Sequence, residues 1–176
     1  MGGFSKIPGI MMKHSKHQSL EDLQGIISNA RASGKKVVLA NGCFDLLHAG
    51  HVSYLESAKD AGDILVVAVN SDTSVRTLKD PRRPIIPEDE RVEILCEMEC
   101  VDYVILFDER TCDDIIRALR PDIHAKGTDY TCESVPERTT ARALGIETII
   151  VGNTKENATK DIIAEIIQRY GKPKTS

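Results

Sequence analysis

Apolar residues at Leu20, Leu23, Ile26, Ile27 and Ala30 fall three and four apart, the period of one helix face. Ser19-Leu20-Glu21-Asp22 before them reads as a capping box with Asp in place of Glu, and Ser33-Gly34 closes the helix. Five β-like apolar runs follow, at 36–41, 63–70, 103–107, 123–126 and 147–151. Helical patterns separate or follow them near 50–61, 87–99, 111–119, 136–144 and 159–170. Alternation of apolar strands with helices predicts an α/β fold: a doubly wound, five-stranded parallel sheet with helices on both faces. No repeat or low-complexity segment interrupts it. Residues 1–18 read as a flexible leader, 19–171 as a single domain and 172–176 as a tail. Lys79-Asp80-Pro81-Arg82-Arg83-Pro84 reads as an exposed loop inside that domain.

Composition narrows the class. With 176 residues the chain suits one domain with a substantial core. A net charge of −4 disfavours non-specific nucleic-acid binding by a basic surface. No apolar run approaches the ~20 residues of a membrane helix. Met1 to His17 lacks an apolar signal-peptide region, so the expected location is the cytoplasm. The five cysteines are odd in number and form no CxxC, against a disulfide framework or a tetrathiolate zinc site. Cys96 and Cys100, four apart, read as buried thiols rather than metal ligands. No metal-binding residues are assigned.

The chemistry gathers where the first strand breaks. Val37 to Asp45 leads into His48-Ala49-Gly50-His51, and a helical pattern starts there. Helix-start N–H groups and the helix dipole attract anions. Gly50 lets a ligand approach the backbone, and imidazoles can hydrogen-bond phosphate oxygens. Zinc is the rival, but His48 and His51 lack the further ligands of a zinc signature, and no HExxH is present. Doubly wound sheets bind ligands beyond their strands' carboxyl ends. The second strand ends in Asn70-Ser71-Asp72, the fourth in Lys126-Gly127-Thr128-Asp129-Tyr130, and the fifth leads towards Asn157-Ala158-Thr159-Lys160. Neither GxGxxG nor GxxxxGK[ST] occurs, which disfavours a dinucleotide-binding dehydrogenase and a P-loop enzyme.

Other positions carry two readings each. Arg91 lies in the apolar arc of the 87–99 helix, and a guanidinium there needs a partner. That partner is either a structural ion pair or a bound phosphate. Lys79, Arg82 and Arg83 form either a solvated turn or a lid that brings charge to a polyphosphate. Lys126 could hold a phosphate or a sugar ring, with Asp129 orienting it or binding a hydroxyl. Thr159 can cap the last helix, whose start could also receive a phosphate.

With these residues in place, the chain resembles the cytidylyltransferase-like nucleotidyltransferases, whose signature is HxGH. Within them its pattern is most similar to the adenylyltransferase domain that makes ADP-heptose. The run Asn41-Gly42-Cys43-Phe44-Asp45-Leu46-Leu47-His48-Ala49-Gly50-His51-Val52 carries the resemblance. Val67 to Asp72, Arg83-Pro84, Arg91, Pro121-Asp122, Lys126-Gly127 and Asp129-Tyr130 match in order over about residues 19 to 170. The resemblance implies a Rossmann-like fold and transfer of a nucleotidyl group from ATP to a sugar 1-phosphate, heptose 1-phosphate first. Pyrophosphate leaves and an ADP-sugar forms, for lipopolysaccharide or capsule precursors. It implies catalytic roles for His48, His51, Lys79 and Arg91. Nucleotide or sugar contacts are implied for Gly42, Cys43, Phe44, Gly50, Asn70, Asp72, Lys126, Gly127, Asp129 and Thr159. Mg²⁺ would accompany ATP, bridging phosphate oxygens. Related enzymes are often homodimers, and a separate sugar kinase would supply the acceptor. Alternatives are a cytidylyltransferase that uses CTP and a glycerol 3-phosphate-type acceptor, and a non-catalytic nucleotide-binding module. Two departures stand out. Ala158-Thr159-Lys160 replaces the Ser-Thr-Thr of heptose enzymes, and Val135-Pro136-Glu137-Arg138, after the Lys126–Tyr130 segment, points to an altered sugar.

Overall fold

The computed structural model describes residues 14–153 and 158–171. Along them run α1 (Leu20–Ala32), β1 (Val37–Gly42), α2 (Ala49–Asp60), β2 (Ile64–Asn70), α3 (Asp72–Leu78) and α4 (Glu88–Cys96). Then follow β3 (Tyr103–Phe107), α5 (Asp113–Leu119), β4 (Ile123–Gly127), α6 (Arg138–Ala143), β5 (Glu147–Val151) and α7 (Thr159–Tyr170). The five strands form one parallel sheet in the order β3-β2-β1-β4-β5. This is the α/β, Rossmann-like doubly wound architecture expected from the sequence. β1 pairs with both β2 and β4, so the direction of winding reverses between β1 and β4. A crevice opens there beyond the strand ends.

Two-residue periodicity divides the strand side chains between the faces. Val37 and Leu39 of β1 join Val66 and Ala68 of β2 in one core cluster, packed with Leu23 and Ile27 of α1 and Ile116 and Leu119 of α5. Val38 and Ala40 join Leu65, Val67 and Val69 in the other, with Leu55 and Ala58 of α2 and Leu95 of α4. Both faces are covered, which is why these strands read as continuous apolar runs.

Four local differences from the sequence pattern stand out. The short α3 carries no apolar stripe: only Ser74 and Val75 are buried, and Ser71 caps it by accepting the Ser74 N–H at 3.1 Å. The predicted 87–99 helix ends at Cys96. The capping box of α1 forms by half. Ser19 Oγ accepts the Asp22 N–H at 3.1 Å, but the shorter Asp carboxylate takes the Ser19 hydroxyl at 2.6 Å instead of the backbone. The leader expected through residue 18 is tied down at its end. Gln18 N–H donates to Val104 O at 3.0 Å and Val104 N–H to Lys16 O at 2.8 Å, covering the β3 edge. The rest of that leader (1–13) and the 172–176 tail lie outside the described residues. Among the described residues no helix is long and apolar enough to cross a membrane.

Candidate nucleotide site

The carboxyl ends of the strands surround a cavity of about 890 Å³. Its wall includes Gly42, Cys43, Phe44, His48 and His51 from the β1–α2 turn, and Asn70 at the end of β2. Lys79 and Arg83 reach it from the basic loop. Lys126, Gly127 and Asp129 come from β4 and its following loop, and Thr159 from the start of α7. Residues far apart in sequence thus meet because parallel strands end on one side of the sheet. Asn157 lies outside the described residues.

The β1–α2 turn is built around two imidazoles. His48 Nδ1 accepts the Gly50 N–H at 3.2 Å, and His51 Nδ1 accepts the His48 N–H at 3.3 Å. His48 is the N-cap of α2, and the two rings lie 4.0 Å apart between centroids. A neutral ring whose Nδ1 accepts carries its proton on Nε2. The cap therefore fixes both tautomers as Nε2–H, a donor suited to phosphate oxygen. Gly50 does not line the cavity; its N–H is spent on this cap. Phe44, before the turn, has φ +49°, a left-handed conformation uncommon for a bulky residue. It is held by packing on His51 and Tyr54, with centroids 5.5 and 6.4 Å away.

Arg91 is fully buried, as its place in the apolar arc requires, but it is not in the cavity wall. Its Nη2 pairs with Asp72 Oδ1 at 2.9 Å, Nε donates to Ile86 O at 3.0 Å, and Nη1 donates to Asn70 O at 2.8 Å and to Cys43 O. Of the two readings of Arg91, the structure shows the structural ion pair and does not bring the guanidinium to the cavity wall. The guanidinium ties the ends of β1 and β2 to α3 and the loop before α4. Asp72 is not brought to the cavity wall either: it is the counterion of Arg91 and stands 3.5 Å from Arg76.

The basic loop divides. Asp45 is almost fully buried and accepts the Ile85 and Ile86 N–H groups at 2.8 and 2.9 Å, and it pairs with Arg83. Asp45 therefore anchors the loop that presents Lys79 to the cavity. Arg82 faces solvent and pairs with Asp80. Thr159 is the first residue of α7, not its cap; Ala158 holds the cap position without a capping side chain. The Thr159 hydroxyl donates to Leu46 O at 3.2 Å, binding the helix start to the β1–α2 turn. Cys43 Sγ lies 3.8 Å from Asn70 Oδ1, and burial pushes its thiol pKa up despite nearby Lys79 and Arg91, so it is not an activated nucleophile.

Some wall residues were not among the sequence candidates. Arg110 and Thr111 follow β3, where the strand-end rule alone would have located them. Lys160, Tyr130, Asn41 and Glu137 also line the cavity. The last two belong to a buried polar network. Asn41 Oδ1 lies 2.9 Å from His124 Nε2 and accepts from Lys126 Nζ at 3.2 Å, while Asn41 Nδ2 donates to Glu137 Oε1 at 3.1 Å. The Cys112 N–H donates to the same Glu137 oxygen at 3.2 Å. Burial, then the Lys126 charge, holds the His124 pKa down at about 4, so its ring is neutral at pH 7. Burial opposes ionisation of Glu137, but Lys126 and the Cys112 N–H outweigh it and the net shift is downward.

A family model described as cytidylyltransferase-like matches residues 39–169, which contain every described wall residue of this cavity. The chain belongs to that family. It is 45% identical over 157 residues to a protein of Geobacter sulfurreducens named bifunctional protein HldE, covering 89% of this chain and 32% of that protein. A protein of the same name from Citrifermentans bemidjiense is 47% identical over 156 residues, again covering 89% of this chain and 32% of the relative. The chain thus spans about a third of the length of these relatives. A crystal structure of a lipopolysaccharide core biosynthesis protein from Thermoplasma volcanium superposes with a TM-score of 0.60 at 31% identity. That match covers 69% of this chain and all of the other.

Proposed function

We propose that this protein transfers the nucleotidyl group of ATP to a sugar 1-phosphate, heptose 1-phosphate being the favoured acceptor, with release of pyrophosphate. The observation that carries the reading is the reciprocal His48–His51 cap, set in one cavity with Lys79, Lys126 and the start of α7. The relatives named HldE and the match to a lipopolysaccharide core biosynthesis protein support the substrate class.

An oxygen of the sugar phosphate attacks the α-phosphorus of ATP. The bond from that phosphorus to the bridging oxygen breaks, and pyrophosphate carries away the electron pair. The attacking oxygen is already ionised at neutral pH, so the site needs no strong base. Positioning and charge stabilisation dominate such transfers. The Nε2–H groups of His48 and His51 meet charge gathering on the α-phosphate, and Lys79 holds the departing phosphates. Arg91 acts only through what it positions. Two of the wall's carboxylates, Asp45 and Glu137, each face a cation or N–H groups, and among the described residues no group of three or more His, Cys, Asp or Glu side chains could hold a metal ion. A Mg²⁺ arriving with ATP would rely on phosphates and water for its ligands, and when bound it would supply neutralisation of phosphate charge.

The acceptor phosphate implies a sugar kinase upstream, and ATP supply places the reaction in the cytoplasm, with a homodimer as the expected assembly. A pyrophosphate-release screen of ATP and CTP against sugar 1-phosphates and glycerol 3-phosphate tests the reading. Turnover with ATP and a heptose 1-phosphate is expected. Turnover with CTP alone refutes the choice of nucleotide. Binding of ATP without turnover on any acceptor would favour a non-catalytic module.

A further inference from the structure

Lys126 and Glu137 form a buried pair in the cavity wall, whose role is read here on the basis of the proposed sugar nucleotide reaction. Glu137 is 2% exposed, yet it lines the cavity. Its two carboxylate oxygens are treated differently. Oε1 takes the Asn41 amide and the Cys112 N–H, which fixes the carboxylate from behind. Oε2 is itself buried and has no hydrogen-bond partner. Its nearest cation, Lys126 Nζ, stands 3.6 Å away, close enough for attraction but beyond a good hydrogen bond. Lys126 directs one of its three donors to Asn41 Oδ1 at 3.2 Å and lies 4.7 Å over the Tyr130 ring.

A buried carboxylate oxygen with no donor is costly, and native proteins seldom keep one without a use. The chemistry of the pair limits what can fill it. An anion arriving at Lys126 would meet the Glu137 charge, so the compensated pair is a poor phosphate site. Lys79, Arg110 and Lys160, elsewhere on the wall, suit phosphate better. A hydroxyl satisfies both partners at once, donating its O–H to Glu137 Oε2 and accepting from the Lys126 ammonium. Water could do the same, but a fixed donor–acceptor pair at a topological switch point is suited to read a ligand.

We propose that Glu137 and Lys126 form a hydroxyl-reading subsite that selects the sugar acceptor, with Glu137 Oε2 as the specificity-determining atom. This replaces a phosphate-holding role for Lys126. The same chemistry could serve the ribose of ATP, so the test separates the two.

The experiment measures kcat/KM of the full chain with the accepted sugar 1-phosphate, its monodeoxy analogues, ATP, 2′-deoxy-ATP and 3′-deoxy-ATP, for the wild type and Glu137→Gln. The variant keeps an oxygen for the Asn41 and Cys112 donors and loses the charge. The wild type should discriminate against one deoxy sugar by about 10- to 100-fold, the scale of one hydrogen bond to a charged group. Glu137→Gln should lose most of that discrimination while treating the ATP analogues as the wild type does. Discrimination lost only among the ATP analogues would move the subsite to the ribose and overturn the acceptor assignment. Equal discrimination by both proteins would overturn the inference altogether. If the variant does not fold, the deoxy-sugar series on the wild type decides, because flat kcat/KM values exclude hydroxyl reading. Absence of turnover with every acceptor would instead refute the reaction itself.

Discussion

Replacing Arg91 by methionine separates a positioning role from a ligand-binding one. The guanidinium makes four hydrogen bonds inside the protein, one of them to the Asp72 carboxylate at 2.9 Å. Methionine fills much of the volume but leaves Asp72 and three carbonyls without that donor. Removing one member of a buried ion pair costs about 3–5 kcal/mol. Asp72 retains some solvent contact, its side chain being 22% exposed, and has Arg76 3.5 Å away. The loss should therefore fall at the lower end, about 3 kcal/mol. With a urea slope of about 2 kcal/mol/M the unfolding midpoint drops by about 1.5 M. A domain with about 5–15 kcal/mol in hand remains folded. Urea unfolding followed by circular dichroism reads the loss, and Asp72→Asn completes a double-mutant cycle whose coupling should exceed about 1 kcal/mol. Steady-state kinetics supplies the second readout. A midpoint shift worth less than about 1 kcal/mol, together with a large rise in the KM for ATP, would show the guanidinium contacting ligand and would refute the positioning argument.

Three further outcomes follow from the same geometry. His51→Ala should lower turnover by about 10²-fold in pyrophosphate release, since it removes one charge-stabilising donor; near-normal turnover would remove His51 from the chemistry. His124 has its pKa lowered from 6.5 to about 4, so below pH 6.5 the unfolded chain binds the proton first and folding stability falls as pH drops towards 4. Between pH 7 and 4.5 the wild type should lose about 2–3 kcal/mol more than His124→Gln in paired urea titrations, and parallel pH profiles would contradict a neutral buried ring. Gly152 has φ +93°, and a Cβ there would stand 2.9 Å from Tyr54 Cα, so Gly152→Ala should destabilise by about 2 kcal/mol or more, measured by thermal melting. A neutral result would mean that the α2 start moves freely against β5.

Much of the architecture was readable from periodicity. Each of the five strands was marked by an apolar run; for β1 and β2 the cause is burial on both faces, which leaves no room for polar alternation, whereas β5 is only half-buried. The helices α1, α2 and α7 were marked by their spacing. The last of these is instructive: α7 forms although none of its residues is buried, and Ile166, Ile167 and Tyr170 are exposed. Spacing fixes the face of a helix but not what covers it. The α3 helix escaped notice because seven residues with one buried valine carry no period, although Ser71 at its head was a legible cap. At the site, the His48–His51 segment was visible as two imidazoles around a glycine at a strand-to-helix break. That each ring would accept at Nδ1, and so share one tautomer, depended on backbone geometry.

The chain alone determined which residues end the strands and therefore which chemistry lies along one edge of the sheet. It also determined that a guanidinium would be buried at position 91, because helical spacing places that residue in the apolar arc. Tertiary structure decided what the guanidinium touches: the ends of β1 and β2 and Asp72, not the cavity. It also brought Glu137, from beyond β4, against Asn41 of β1, a pairing across ninety-six positions. The physical reason is common to both. Burial is written into local periodicity, but the partner of a buried polar group is set by which strands lie side by side, and that order arises only when the whole sheet closes.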